Sequence, residues 1–145
     1  MTGQPHRKPP GKPLRRILIT RPREDAEALA SELSRRGLEP MVQPLLEIRN
    51  LPGPALDLDG VQAILFTSAN GVRATAARTI RRDLPALAVG DATARCAAEA
   101  GFARVESAGG DVESLARLVI GRLDPGAGRL YHAAGSAVAG DLAGD

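Results

Sequence analysis

The chain has 145 residues, 43% of them apolar and only 2% aromatic, which is enough for one compact domain with a core of Leu, Val, Ile and Ala. Five of the 19 Lys and Arg lie in the first sixteen residues, which contain no acid. The remainder of the chain therefore has 14 Lys and Arg against 17 Asp and Glu. The basic pI of 9.2 is therefore caused by the N-terminal residues. The rest of the chain is mildly acidic, which argues against a protein built to bind nucleic acid.

Residues 1–13 form a basic, Pro-rich segment with almost nothing apolar to bury. We expect a disordered tail, and a nucleic-acid-binding arm is the alternative. The tail lacks the apolar run of a secretion signal, and no later stretch approaches the roughly 18 apolar residues of a membrane span. These features predict a cytoplasmic protein without a membrane partner.

The first predicted unit is a strand, a loop and a helix. Residues 16–20 are a short β-rich run, and apolar residues then recur at helical spacing from Ala26 to Leu33, with Gly37 at the position of a C-cap. Residues 40–48 predict an extended segment, although Pro44 argues against a central strand throughout.

A connector without hydrophobic period follows at 50–60, with two prolines and a glycine in its first half. The nearly continuous apolar run at 61–66 is then typical of a strand covered on both faces. Further strands are predicted at 86–89, 103–106 and 129–134, each separated from the previous one by a helical pattern; Asp111 suits the N-cap of the last helix. Repeated units of this kind predict an α/β fold with a parallel sheet and flanking helices.

Ligands of open α/β sheets bind beyond the carboxyl ends of the strands. The loops expected there are small, polar or glycine-bearing, and their backbone N–H groups could hold carboxylate or phosphate oxygens. These loops span residues 20–23, 67–71, 90–93, 108–110 and 134–136.

The polar residues of these loops have a plain structural alternative. Ser68, and Asp91 or Thr93, suit helix N-caps, and residue type alone favours capping over ligand binding. Arg21 directly follows a strand and shares its loop with Arg23, which favours an anionic ligand, but a surface salt bridge explains the pair about equally well.

The familiar catalytic and cofactor motifs are missing: the sequence has no P-loop, no GxGxxG after a strand, no GxSxG and no histidine pair at metal spacing. His132 has no recognisable partner, so a structural role is expected. The single cysteine, Cys96, excludes an internal disulfide and is typical of a helix core position. Asp57 and Asp59 are expected to be solvated turn residues. No metal and no cofactor are predicted.

Five segments occur together in an order and spacing that are specific as a series: ILITRPREDAEALASELSRRGLEPMVQPLLEI at 17–48, ILFTSANGVRA at 64–74, ALAVGDATARCAAEAGF at 86–102, GGDVESLARLV at 109–119 and RLYHAAGS at 129–136. With them the chain resembles the uroporphyrinogen-III synthases over nearly everything after the tail. The resemblance implies two α/β lobes, with residues 14–48 opening lobe 1 and residues 49–145 forming lobe 2, incomplete at its C-terminal end. It also implies a C-terminally truncated member that is poorly active as an isolated chain.

The activity implied by the resemblance is a lyase reaction of tetrapyrrole biosynthesis, the route to haem, sirohaem and cobalamin. Hydroxymethylbilane, a linear tetrapyrrole, is cyclised to uroporphyrinogen III with inversion of ring D, by a monomer without cofactor. The family's pattern makes Thr93 the catalytic candidate, near the departing hydroxyl, whereas a tyrosine that family members carry further on has no counterpart here. The residues implied to bind the substrate are Arg21, Ser68, Ala69, Asn70, Gly90, Gly135 and Ser136.

Two other readings remain open from the residues. One is a non-catalytic α/β module that binds an anion or a tetrapyrrole. The other is a generic nucleotide-binding or receiver-like domain, whose motifs the sequence lacks.

Overall fold

The computed structural model describes residues 15–135, so the predicted tail at 1–13 and the candidate Ser136 lie outside the described residues. The chain divides into two compact units, Met1–Arg49 and Asn50–Asp145. Within residues 15–135, no helix has the length and apolar character needed to cross a membrane. The elements in chain order are β1 (Arg16–Ile19), α1 (Arg23–Arg35), β2 (Glu39–Val42), β3 (Val61–Phe66), α2 (Ala69–Ala76), β4 (Pro85–Ala88), α3 (Asp91–Glu99), β5 (Arg104–Ser107), α4 (Val112–Arg122) and β6 (Arg129–Ala133).

Unit 1 consists of two parallel strands, β1 and β2, joined by helix α1. Gly37 ends the helix as predicted: its φ is 75°, and the N–H of Leu38 reaches back to the carbonyl of Leu33 at 3.1 Å. Strand β2 stops at Val42, so the predicted extended segment at 40–48 is a strand only in its first residues. Proline has no N–H to donate to a strand partner, and Pro44 lies just past the end of β2.

Unit 2 is built on a four-stranded parallel sheet in the order β5-β4-β3-β6. Alternate side chains of β3 face opposite sides of the sheet. Phe66 packs with residues of α2 and α3 in one buried cluster, whereas Leu65 packs with Leu115 of α4 in another. Helices therefore cover both faces, and the α/β fold predicted from the sequence is confirmed.

The first cluster contains both phenylalanines of the chain. The rings of Phe66 and Phe102 meet edge to face with their centroids 5.4 Å apart, and the guanidinium of Arg82 lies 5.0 Å from the centre of the Phe102 ring. Cys96 packs against this cluster from a half-buried position. The buried core position expected for Cys96 is therefore found only in part, because the residue lies at the edge of the cluster.

Val72, Thr75, Ala76 and Thr79 recur at helical spacing, which predicts a helix up to Thr79. Helix α2 ends earlier, at Ala76. At this end the guanidinium of Arg82 donates to the carbonyls of Ala76 at 3.1 Å and Thr79 at 2.7 Å and so satisfies groups left without a helical partner. The Thr79 hydroxyl also accepts from the N–H of Arg81 at 3.2 Å. In the connector, the Asp57 carboxylate accepts from the N–H of Asp59 at 3.0 Å, and both residues are exposed, as predicted for a turn.

Candidate functional site

The carboxyl ends of the four parallel strands of unit 2 meet at one edge of the sheet. Phe66 at the end of β3 is in register with Ala88 of β4 and Ala133 of β6, and Ala88 is in register with Ser107 of β5. The loops at 67–68, 89–90, 108–111 and 134–135 therefore lie side by side, and we call this set of loops the carboxyl edge. The carboxyl edge includes every loop of unit 2 that the sequence predicted for ligand binding, up to residue 135, where the described residues end.

Strand order makes one part of this edge special. From β3 the chain moves through β4 to β5, and it then returns to place β6 on the other side of β3. The direction of winding thus reverses between β3 and β6, and such a reversal opens the crevice in which α/β proteins bind ligands. The loop after β3 and the loop after β6 flank this point.

Gly71 allows α2 to lie against the end of β6. A Cβ added to Gly71 would be 2.8 Å from the backbone oxygen of Ala133, closer than such atoms approach in proteins. Glycine is therefore required at position 71 by the close approach of α2 to the backbone of Ala133. Its backbone conformation does not require glycine, because its φ is not positive.

Ser68 is the N-cap of α2, which confirms the structural alternative for this residue. Its hydroxyl oxygen accepts from the N–H of Gly71 at 3.2 Å, in the extended conformation usual for a cap. Ser68 is also exposed, whereas Ala69 and Asn70 in the first turn are half-buried. A capping role leaves the hydroxyl hydrogen of Ser68 available to a ligand.

The charges at the starts of the three helices of unit 2 differ. The first turn of α2 contains no acid, whereas α3 begins with Asp91 and α4 has Asp111 at its N-cap and Glu113 in its first turn. Hydrogen bonds from Ser114 lower the pKa of Asp111, so this carboxylate stays ionised at neutral pH. The positive end of a helix dipole attracts anions, and among these three helices only α2 has no acid at its N-cap or in its first turn.

Neither Asp91 nor Thr93 caps α3, so the expectation that one of them would do so is wrong. The N-cap is Gly90, so the helix starts without a side-chain cap hydrogen bond. The Asp91 carboxylate instead accepts from the Ser107 hydroxyl at 2.7 Å, which ties the start of α3 to the end of β5. Thr93 is only 7% exposed and is one of two buried polar residues within 15–135.

Two side chains that the site prediction omitted also lie at the carboxyl edge or next to it. Arg73, half-buried in α2, donates to the side-chain oxygen of Asn70 at 2.7 Å and adds positive charge one turn into the helix. The spacing of three residues was visible in the sequence as a helical pair. His132 Nε2 lies 3.3 Å from the Thr67 hydroxyl oxygen, so the expectation that His132 has no partner is wrong.

The other candidate residues lie apart from α2 in the chain. Gly135 is exposed just after β6, at the carboxyl edge. Arg21 is exposed in the loop between β1 and α1 of unit 1, where Glu24 and Asp25 follow in the first turn of α1. Unit 2 therefore collects Ser68, Ala69, Asn70, Gly90, Thr93 and Gly135 along one edge, whereas Arg21 belongs to unit 1. Within residues 15–135, no three His, Cys, Asp or Glu residues cluster as metal ligands.

Comparison with known proteins gives two matches. The family model described as "Uroporphyrinogen-III synthase HemD" matches residues 27–145. A protein of Methanocaldococcus jannaschii with the name "Putative uroporphyrinogen-III synthase" is 42% identical over 57 residues, which are 39% of this chain and 24% of that protein. The aligned part thus spans about a quarter of that relative's length.

Proposed function

The chain belongs to the uroporphyrinogen-III synthase family, whose model matches residues 27–145, and from this premise we propose that it cyclises hydroxymethylbilane to uroporphyrinogen III. The reaction joins the two terminal pyrrole rings, inverts ring D and releases one water. It belongs to tetrapyrrole biosynthesis and makes the protein a lyase. A small-molecule substrate is the only partner that this activity requires.

The observation that carries the proposal is the start of α2 at the reversal point of the sheet. The substrate bears many carboxylates, and here an exposed Ser68 hydroxyl lies beside the N–H groups of a first helical turn that contains no acid. Backbone amides at a helix start bind carboxylate oxygens without a special motif. Binding of this kind accounts for a site in which the usual catalytic motifs are missing.

The reaction needs the flexible substrate to be held in a folded conformation more than it needs a strong acid or nucleophile. Fixing reacting groups in the correct geometry can by itself supply a large part of a rate enhancement. We assign carboxylate binding to Ser68, Ala69 and Asn70, with Gly90 and Gly135 beside them on the carboxyl edge. Thr93 is assigned the contact near the departing hydroxyl, and Arg21 of unit 1 is assigned charge complementarity.

A pair of substitutions at Ser68 separates capping from carboxylate binding. Asn and Asp are both good N-caps and nearly identical in shape, so each preserves α2. Ser68→Asn should leave the KM for hydroxymethylbilane within about threefold, whereas Ser68→Asp should raise it about tenfold or more, because its negative charge repels a carboxylate at the helix start.

The measurement is uroporphyrinogen III formed from hydroxymethylbilane by the 145-residue chain and by both variants, with urea unfolding as a check that the cap is intact. Equal KM values for the two variants would show that the start of α2 binds no substrate carboxylate. If the folded wild-type chain binds the substrate but never cyclises it, the proposed enzyme activity is wrong and the chain is a non-catalytic binding module.

A further inference from the structure

Two polar residues, Thr67 and His132, lie in contact at the junction of β3 and β6 and have no role in the proposed function. Thr67 is the first residue after β3, and His132 lies in β6 in register with Leu65. Residues in register on neighbouring strands face the same side of a sheet. The contact at 3.3 Å between His132 Nε2 and the Thr67 oxygen therefore lies on the Leu65 side, away from the Phe66 side on which α2 packs.

Both members of the pair are half-buried, so a ligand at the carboxyl edge can reach them while the sheet still restricts their motion. Burial lowers the pKa of His132, so its ring is neutral at pH 7 and has one N–H donor and one acceptor nitrogen. The tautomer decides how the contact with Thr67 is made. When Nε2 carries the hydrogen, the ring donates to the Thr67 oxygen, and the hydroxyl hydrogen of Thr67 points elsewhere.

We propose that Thr67 and His132 form a second carboxylate subsite, in which His132 is a positioning residue that turns the Thr67 hydroxyl toward the substrate. The inference rests on the proposed function, because it assumes a ligand with several carboxylates. One carboxylate binds at the start of α2 on the Phe66 side of β3. Another accepts from the Thr67 hydroxyl on the Leu65 side, so the substrate lies across the end of the strand.

This arrangement explains why the imidazole contacts a hydroxyl instead of facing the loop directly. A neutral histidine donates one hydrogen bond, and spending it on the Thr67 oxygen fixes the rotation of a hydroxyl that is otherwise free to turn. Fixing the donor before the substrate arrives lowers the entropy cost of binding. The effect belongs to substrate affinity and leaves the rate of the bound complex nearly unchanged.

The test uses isosteric variants of the whole chain in the uroporphyrinogen III assay. Thr67→Val replaces the hydroxyl by a methyl group, and His132→Leu removes the ring nitrogens while keeping an apolar side chain of similar size. Each should raise KM about fivefold to tenfold with kcat within about twofold, and the double variant should be no worse than the poorer single one, because the two residues act as a unit. Thr67→Ser and His132→Gln should restore KM to within about twofold of wild type, since the Gln amide reaches the position of Nε2.

Tyr131→Phe is the matched control, because Tyr131 precedes His132 on the strand and packs on the opposite side, against the Phe66 cluster. It should keep the wild-type KM. Additive effects in the double variant, or unchanged KM in both single variants, would overturn the inference. A purely structural role would lower the unfolding temperature and leave KM alone.

A second readout is independent of turnover. The ring resonances of His132 in an NMR spectrum of the wild-type chain should shift when uroporphyrinogen III is added, and Thr67→Val should abolish the shift. Failure of the proposed function appears as a wild-type chain that forms no uroporphyrinogen III. Failure of the inference appears as an active wild type whose His132 resonances do not move and whose variants match it.

Discussion

At the scale of single residues, Thr75 is in an unfavourable environment. Its side chain lies in α2 and is 1% exposed, and its hydroxyl oxygen has no hydrogen-bond partner among residues 15–135. A buried hydroxyl without a partner costs about 1–3 kcal/mol. Because Val has the shape of Thr without the hydroxyl, the residue can be replaced without opening a cavity.

Thr75→Val should therefore raise the free energy of unfolding by about 1 kcal/mol. Thr79→Val is the matched control, since the Thr79 hydroxyl accepts from the N–H of Arg81, and its loss should lower the free energy of unfolding by about 0.5–1 kcal/mol. Urea unfolding of the two variants measures both changes. A lower free energy of unfolding for Thr75→Val as well would mean that the Thr75 hydroxyl has found a partner in solution.

At the scale of elements, the placement of α2 decides the geometry of the proposed site. Its N-cap Ser68 is local, but its contact with β6 depends on Gly71 and the backbone oxygen of Ala133. At the other end, Arg82 donates to the carbonyls of Ala76 and Thr79 and also to that of Ala100 after α3. The arginine thus joins the ends of two neighbouring helices, which sequence periodicity did not indicate.

Gly71→Ala should lower the free energy of unfolding by about 1–3 kcal/mol, because the added methyl group pushes α2 away from β6. It should also raise KM through the same displacement. Gly121→Ala supplies the contrast: Gly121 lies within α4 with no atom within 4 Å of the added Cβ, so alanine should stabilise the helix by about 0.5–1 kcal/mol. Thermal unfolding compares them, and a stabilised Gly71 variant would show that the close approach is relaxed in solution.

At the scale of the whole molecule, the two buried clusters lie entirely within Asn50–Asp145. The chain between β2 and β3 contains no helix or strand, and Leu45, Leu46 and Leu51 are 75%, 69% and 74% exposed there. Proteases cut exposed segments without regular structure first. The leucines in the strands of unit 2 are protected by burial, as Leu65 at 5% exposure illustrates.

A chymotrypsin-like protease should therefore cut the native chain at Leu45 or Leu46 before it cuts at Leu65 or any other leucine of the buried clusters. Leu51 is no expected cleavage site, because Pro52 follows it. Mass spectrometry of early digestion products identifies the sites. The urea-unfolded chain is the control, in which Leu65 should be cut at a rate similar to that of Leu45 and Leu46. Early cleavage at Leu65 in the native chain would contradict the burial of β3.

The sequence by itself determined the local features of this protein. Hydrophobic period identified β3 and most of α1 and α4, and the caps at Ser68, Asp111 and Gly37 were visible because a cap is formed by residues a few positions apart. The family resemblance, confirmed by the match over 27–145, came from several such segments in order. Each of these signals is contained in a short stretch of chain.

Only the tertiary structure decided which of the candidate loops flank the reversal of the sheet. The place of β6 beside β3 brings Gly71 against Ala133, and it brings Thr67 to His132 across 65 positions of sequence. The sequence around either residue of such a pair does not identify its partner, because strand order is set by how whole elements pack. Because of the same packing, Asp91 accepts a hydrogen bond from the Ser107 hydroxyl and does not cap α3, and Thr93 is buried.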